Sequence, residues 1–171
     1  MNSEILISGD QTQSWWINTA LKYLPEEIMR DEGRNLVIVG VGDFGGCRLP
    51  KQYREREIIL LSEWIFPPPG HSEEEESGKC FIITLLHEIA HAVNKHKSPS
   101  LDKLSTDENR DQENEADNIA IDWYNSHVRS LDNDYLTSLE VSTFRELVER
   151  FGKLCGAIEK YKWDWHQKGS T

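Results

Sequence analysis

Apolar residues recur along this chain in two rhythms, one helical and one strand-like. After the turn-type residues of "DQTQS", Trp15, Ile17, Leu21 and Leu24 fall near one helical stripe, and Pro25 marks its boundary. "NLVIVGVG", Asn35 to Gly42, is a β-branched run near glycines and predicts a buried strand. "GDFGGCRLP" predicts a loop. Tyr53 to Phe66 is charged in its first half and apolar in its second. This predicts a strand near a sheet edge, where charges discourage unwanted pairing. Pro67 to Pro69 must be extended or turn, and Ser72 is a candidate cap for the glutamates after it, although a solvated loop accounts for them equally well.

From about Lys79 to Lys97 the helical rhythm is clear, with Phe81, Leu85, Ile89, Ala92 and Val93 at three- and four-residue steps. A polar loop follows, then a second helix from about Glu108 to His127. A C-terminal helix over about 138–165 carries Leu139, Phe144, Leu147, Val148, Phe151, Leu154 and Ile158 in register. Helix, strands, then helices predict an α+β fold in a single domain spanning 1–171.

The net charge of -11 over 171 residues changes the range of partners. Phosphate backbones and anionic membranes attract clustered Lys and Arg, so neither nucleic acid nor membrane is expected as the main partner. No apolar run approaches the roughly 18 residues that span a bilayer. Cys47, Cys80 and Cys155 are widely spaced and form no C-x-x-C, which indicates neither a disulfide framework nor a thiolate zinc site. The first residues lack the basic and apolar segments of a secretory signal, so a cytoplasmic setting is expected.

Candidate chemistry lies in "TLLHEIAHAV". A helix turns once every 3.6 residues, so His87 and His91 project from one face and both can reach one ion. Zinc accepts nitrogen and carboxylate ligands, and a catalytic site keeps a fourth position for water. Glu88, beside His87, would act as the base for that water. A histidine third ligand six residues beyond His91 would fall on Lys97, and His96 is one residue out of place. The other source is a carboxylate on a later helix, and "ENEADNIAIDWY" offers one. Glu113 and Asp117 are four apart and share a face with Ala116 and Ala120, whose small side chains would allow close approach. Glu113 is the expected third ligand, and Asp117 would hold the far nitrogen of a ligand histidine. Glu115 points to another face and ranks second. His127 lies 14 residues beyond Glu113, roughly 21 Å along a helix, too far to share the ion.

"HEIAH" followed by "ENEAD" resembles the H-E-x-x-H…E-x-x-A-D pattern of glutamate-type zinc metallopeptidases, the gluzincins, and most of all the short ImmA/IrrE-type peptidases. The resemblance covers roughly residues 35–125. It implies a zincin-like α+β fold, with a small mixed sheet, an active-site helix and a glutamate-ligand helix. It implies Zn2+ held by His87, His91 and Glu113, Glu88 as general base, and hydrolysis of a protein or peptide substrate. It also implies that the strand before the active-site helix, about Glu57 to Leu61, lines the cleft and pairs with an extended substrate. The chain departs from that family after Ala116, where no Met-Pro follows and "IDWY" stands instead.

Three other readings compete. A carboxylate-bridged di-iron bundle needs a second Glu-x-x-His pair, which the chain lacks. A catalytically weak or inactive regulatory protein would be marked by loss of the base, and Glu88 is present. A purely structural helix would carry its histidines incidentally and bind no metal. "KWDWHQ", with Trp163 and Trp165, either packs on the domain or docks a partner. Tyr53, Tyr135 and His71 cannot be placed as oxyanion donors.

Overall fold

The computed structural model describes residues 5–41, 47–49, 56–98, 102–131 and 136–150. The C-terminal "KWDWHQ" segment, Cys155, Tyr53 and Tyr135 lie outside them.

A short strand, β1 (Leu6–Ser8), precedes α1 (Gln11–Leu21). Asp10 caps α1 through the Gln13 amide, and Gln13 reaches back to the Asp10 N–H, so two otherwise orphaned donors are satisfied together. Pro25 ends this region as expected, and α2 (Glu26–Glu32) leads into β2 (Leu36–Val41). Next come β3 (Cys47–Leu49) and β4 (Glu57–Ser62), then α3 (Glu76–Val93) and α4 (Thr106–Ser130). A further helix, α5, occupies 141–150; it begins three residues later than expected, since 138–140 are not helical, and the expected stretch from 151 to 165 lies outside the described residues.

The sheet is mixed, in the order β1-β2-β4-β3. β1, β2 and β4 run parallel, and β3 runs antiparallel to β4. Two sequence expectations are corrected here. The stretch "GDFGGCRLP" contains a strand, β3, rather than loop alone. And β4 is not an edge strand. It pairs with β2 along all six residues and with β3 at Ile58, Ile59 and Leu60 on its other side, so it lies one strand in from the end of the described sheet. The charges that suggested an edge belong to the stretch before the ladder, and Glu57, at its start, is buried. β1, in the N-terminal stretch "EILIS", was not anticipated at all: three residues are too few to show a period.

The core explains the central place of α3. Phe81, Ile82, Ile83, Leu85, Leu86 and Ile89 are all essentially inaccessible to water and belong to one cluster with Trp16, Ile17, Ile38, Ile59 and Leu61. A helix apolar nearly all round must be covered on most sides. α1, α4, β3 and β4 all contact it. The polar exceptions in its last two-thirds are Thr84, His87, Glu88 and His91, spaced three and four apart, so they form one stripe.

The two ends of α3 differ from expectation. Ser72 is not its cap; Glu75 holds that position without a side-chain bond, and Gly78 lies so near the Ser72 carbonyl that any Cβ would collide with it. The helix stops at Val93, four residues short of Lys97. The His96 N–H reaches the His91 carbonyl (3.0 Å) and the Lys95 N–H reaches that of Ala92 (3.3 Å), a Schellman motif. Lys95 takes the left-handed conformation the motif needs, with φ of 56°. Glycine usually stands there, because a Cβ is strained at positive φ. Lys95→Gly should therefore stabilise the protein by about 0.5–1 kcal/mol. Chemical denaturation of both proteins checks this; equal or lower stability of the variant contradicts the strain at Lys95.

Candidate metal centre

α3 and α4 bring the polar stripe against "ENEAD". Ala116 and Ala120 are completely buried, as small residues at a close helix contact should be. Four residues apart on that side, Glu113 and Asp117 then face the imidazoles of α3. Glu113 Oε2 lies 3.3 Å from His87 Nε2, Glu113 Oε1 lies 3.7 Å from His91 Nε2, and the two Nε2 atoms are 2.9 Å apart. All three ligand atoms fall within 4.8 Å of one another, so His87, His91 and Glu113 could hold a metal ion. The spacing suits one. Donors arranged tetrahedrally at about 2.0–2.2 Å from zinc stand roughly 3.3–3.6 Å from each other.

Each imidazole turns its other nitrogen to a partner. His87 Nδ1 lies 2.9 Å from Asp117 Oδ1. Asp117 is buried, and its second oxygen accepts from Arg145 Nε (2.7 Å) and forms an ion pair with Nη2 (2.6 Å). Nη2 also donates to Asn114 Oδ1 at 2.6 Å. On the other side, His91 Nδ1 meets His96 Nδ1 at 2.8 Å, and His96 Nε2 meets Glu115 Oε2 at 3.3 Å. His96 and Glu115 are thus outside the ligand group, as the spacing indicated, yet they are joined to it. His127 is also outside it, packed 4.2 Å from the Tyr23 ring. His71 bonds Ser77 near the start of α3.

Arg145 and His96 were missed in the sequence. Arg145 sits on α5, whose docking against α4 has no local signature. His96 is brought under α3 by Lys95, which carries none of the glycine signal that marks a left-handed cap.

The charges reinforce one another in the metal-free protein. Burial alone would hold the His87 pKa down, but the hydrogen bonds its ring donates to Asp117 and Glu113, with Glu88 nearby, lift it to about 9. The His87 and His91 hydrogen bonds hold Glu113 far below the ordinary carboxylate range, against the opposing effect of burial. Burial raises Asp117, and its bonds to His87 and Arg145 outweigh that and lower it.

A cleft of about 400 Å³ opens onto this group. Glu88 lines it beside His87, Glu113 and Asp117; Thr84 continues the α3 wall, and Phe144, Arg145, Val148 and Glu149 of α5 form the other. Arg145 is the one permanent cation among these residues.

Residues 80–158 match the family model described as Peptidase U49. That stretch, a little under half of the chain, is thus similar to a peptidase family. No curated protein and no solved structure matches the chain. The matched stretch contains every residue of the His87–His91–Glu113 group and both sets of partners behind it. Among the described residues, no helix is long and apolar enough to cross a membrane.

A pH dependence follows from His87. In the metal-free protein it is protonated below about 9, and an imidazole must lose its proton to bind a metal. Metal affinity should rise about tenfold per pH unit between pH 7 and 9, with release of a proton that calorimetry in buffers of different ionisation enthalpy will count. The same pairing stabilises the metal-free fold. Its contribution is complete below the ordinary histidine value of 6.5 and is lost as pH rises through about 9. Denaturation of metal-free protein at pH 6 and pH 9.5 should show the loss; a flat profile would rule it out.

Proposed function

We propose that this protein is a zinc-dependent peptidase with a zincin-like arrangement, in which His87, His91 and Glu113 hold Zn2+ and Glu88 is the general base. The observation that carries the reading is the convergence of two imidazoles and a carboxylate within 4.8 Å, beside a cleft lined by His87, Glu113 and Glu88. Two imidazoles and a carboxylate, with one position left for water, are a ligand set used by hydrolytic zinc sites. Such an ion supplies Lewis acidity, polarising a carbonyl and acidifying a water.

The protein's own residues do the rest. Glu88 takes the proton of the attacking water and passes it to the amine that leaves. Asp117, bonded to His87 Nδ1, fixes that imidazole's tautomer and leaves Nε2 free for the ion. Arg145 locks Asp117 and offers positive charge to a substrate carbonyl in the cleft. Phe144 and Val148 give the facing wall an apolar surface for a substrate side chain.

Substrate capture by the backbone shifts from β4 to β3. β4 is paired with β2 along its length and with β3 at Ile58–Leu60, whereas β3 is the outermost strand among the described residues, and its position antiparallel to β4 suits the addition of an extended peptide. A cytoplasmic setting agrees with the wide spacing of Cys47, Cys80 and Cys155 in the sequence.

Glu88→Gln separates binding from turnover. The variant should retain one zinc per chain and lose at least about 100-fold in the rate of proteolysis of a cleaved protein substrate. Zinc content by atomic absorption and cleavage by mass spectrometry provide the two readouts. Wild-type protein that takes up no zinc when supplied with it would sink the metal site, and equal cleavage by both proteins would sink the role of Glu88.

A further inference from the structure

We infer that His96, supported by Glu115, is the positioning residue for His91, forming a second, histidine-mediated brace on the metal centre. The inference rests on the metal-site reading above and concerns residues outside the ligand set. His91 Nε2 faces His87 and Glu113, so Nδ1 is the nitrogen left for a partner. That partner is the Nδ1 of His96, at 2.8 Å. Two neutral imidazoles can meet in this way only if one donates and the other accepts. With Nε2 of His91 free to bind an ion, its Nδ1 carries the hydrogen and donates. His96 Nδ1 then accepts, which puts the His96 hydrogen on Nε2, where Glu115 Oε2 accepts it at 3.3 Å. The chain of bonds thus has one self-consistent arrangement of hydrogens, and it is the one that prepares His91 as a ligand.

The backbone shows why His96 can do this. In a Schellman motif the residues at the two ends of the six-to-one hydrogen bond are brought together, and they are usually two apolar side chains. Here they are His91 and His96, and the contact between them is polar. His96 is buried, its side chain only 7% exposed, whereas Glu115 is more than half exposed. An imidazole taken out of water at that position needs a partner on each nitrogen, and it has them. The brace also differs from the one on His87, where the carboxylate of Asp117 touches the ligand imidazole directly. On the His91 side the carboxylate acts through an intervening imidazole.

The test uses the full chain with zinc or cobalt as probe. Zinc affinity is measured by competition with a chromophoric chelator, and the ligand field is read from the visible absorption of the Co2+ protein. His96→Phe keeps a ring and removes both hydrogen bonds; it should weaken zinc binding by about 10–100-fold and shift the Co2+ bands. His96→Asn, whose side chain can both accept and donate, should recover part of the affinity. Glu115→Gln alters an exposed residue, leaves the fold intact and should lose several-fold. Asp117→Asn provides the scale for the brace on His87. Wild-type affinity and Co2+ spectrum in Glu115→Gln and in folded His96→Phe overturn the inference. If His96→Phe does not fold, an unchanged Glu115→Gln overturns it alone. A wild-type protein that binds neither ion overturns the metal site itself, a result distinct from the others.

Discussion

Ala116 and Ala120, with no exposed surface at all, set how near α4 comes to α3, and the candidate centre depends on that distance. A larger side chain at either position would push the helices apart by more than the few tenths of an ångström that separate a hydrogen bond from none. Glu113 would then leave both imidazoles and Asp117 would leave His87. The contact is held from both sides. Leu85, Leu86 and Ile89 anchor α3 in the core, while Ile121 and Tyr124 anchor α4. Apolar burial thus fixes two rigid rods, and the polar residues take their places on the seam between them.

The grouping of His87, His91 and Glu113 was legible in the sequence because helical periodicity is local. His87 and His91 had to share a face, and so did Glu113 and Asp117; bringing the two faces together required only that Ala116 and Ala120 be buried. The braces behind the group were less legible. The bond from Asp117 could be anticipated from its register with Glu113. His96 could not, because the chain doubles back through a lysine at positive φ, where the usual glycine signal is missing. Arg145 could not, because the docking of α5 is a tertiary event. The sheet showed the same limit. Val37 to Val39 announced a strand, but three-residue strands such as β1 and β3 carry no readable period, and without β3 the position of β4 could not be known.

The two sides of the centre draw their support from different ranges of the sequence. His91 is braced by His96, five residues away, and by Glu115 of α4. His87 is braced by Asp117 and, through it, by Arg145, 28 residues further on. α5 is therefore more than a wall of the cleft: with Arg145 on Asp117 and Arg150 on Glu76, it ties the middle of α4 and the start of α3 to the chain beyond them. Distortion of α5 would reach the centre through these hydrogen bonds as well as through Phe144, which belongs to the core cluster.

The cleft's charge has a consequence of its own. Among the described residues that line it, Glu88, Glu113, Asp117 and Glu149 outnumber Arg145 and, in the metal-free protein, the protonated His87, in a chain whose net charge is -11. Low-dielectric walls focus such a field outward, so the opening gathers small cations and turns away polyanions before any contact is made. Cationic stretches of a polypeptide would arrive faster than acidic ones, and the difference would shrink as added salt shortens the reach of the field to a few ångströms. A field of this sign would thus act in solution, on the rate of encounter, before any contact in the cleft.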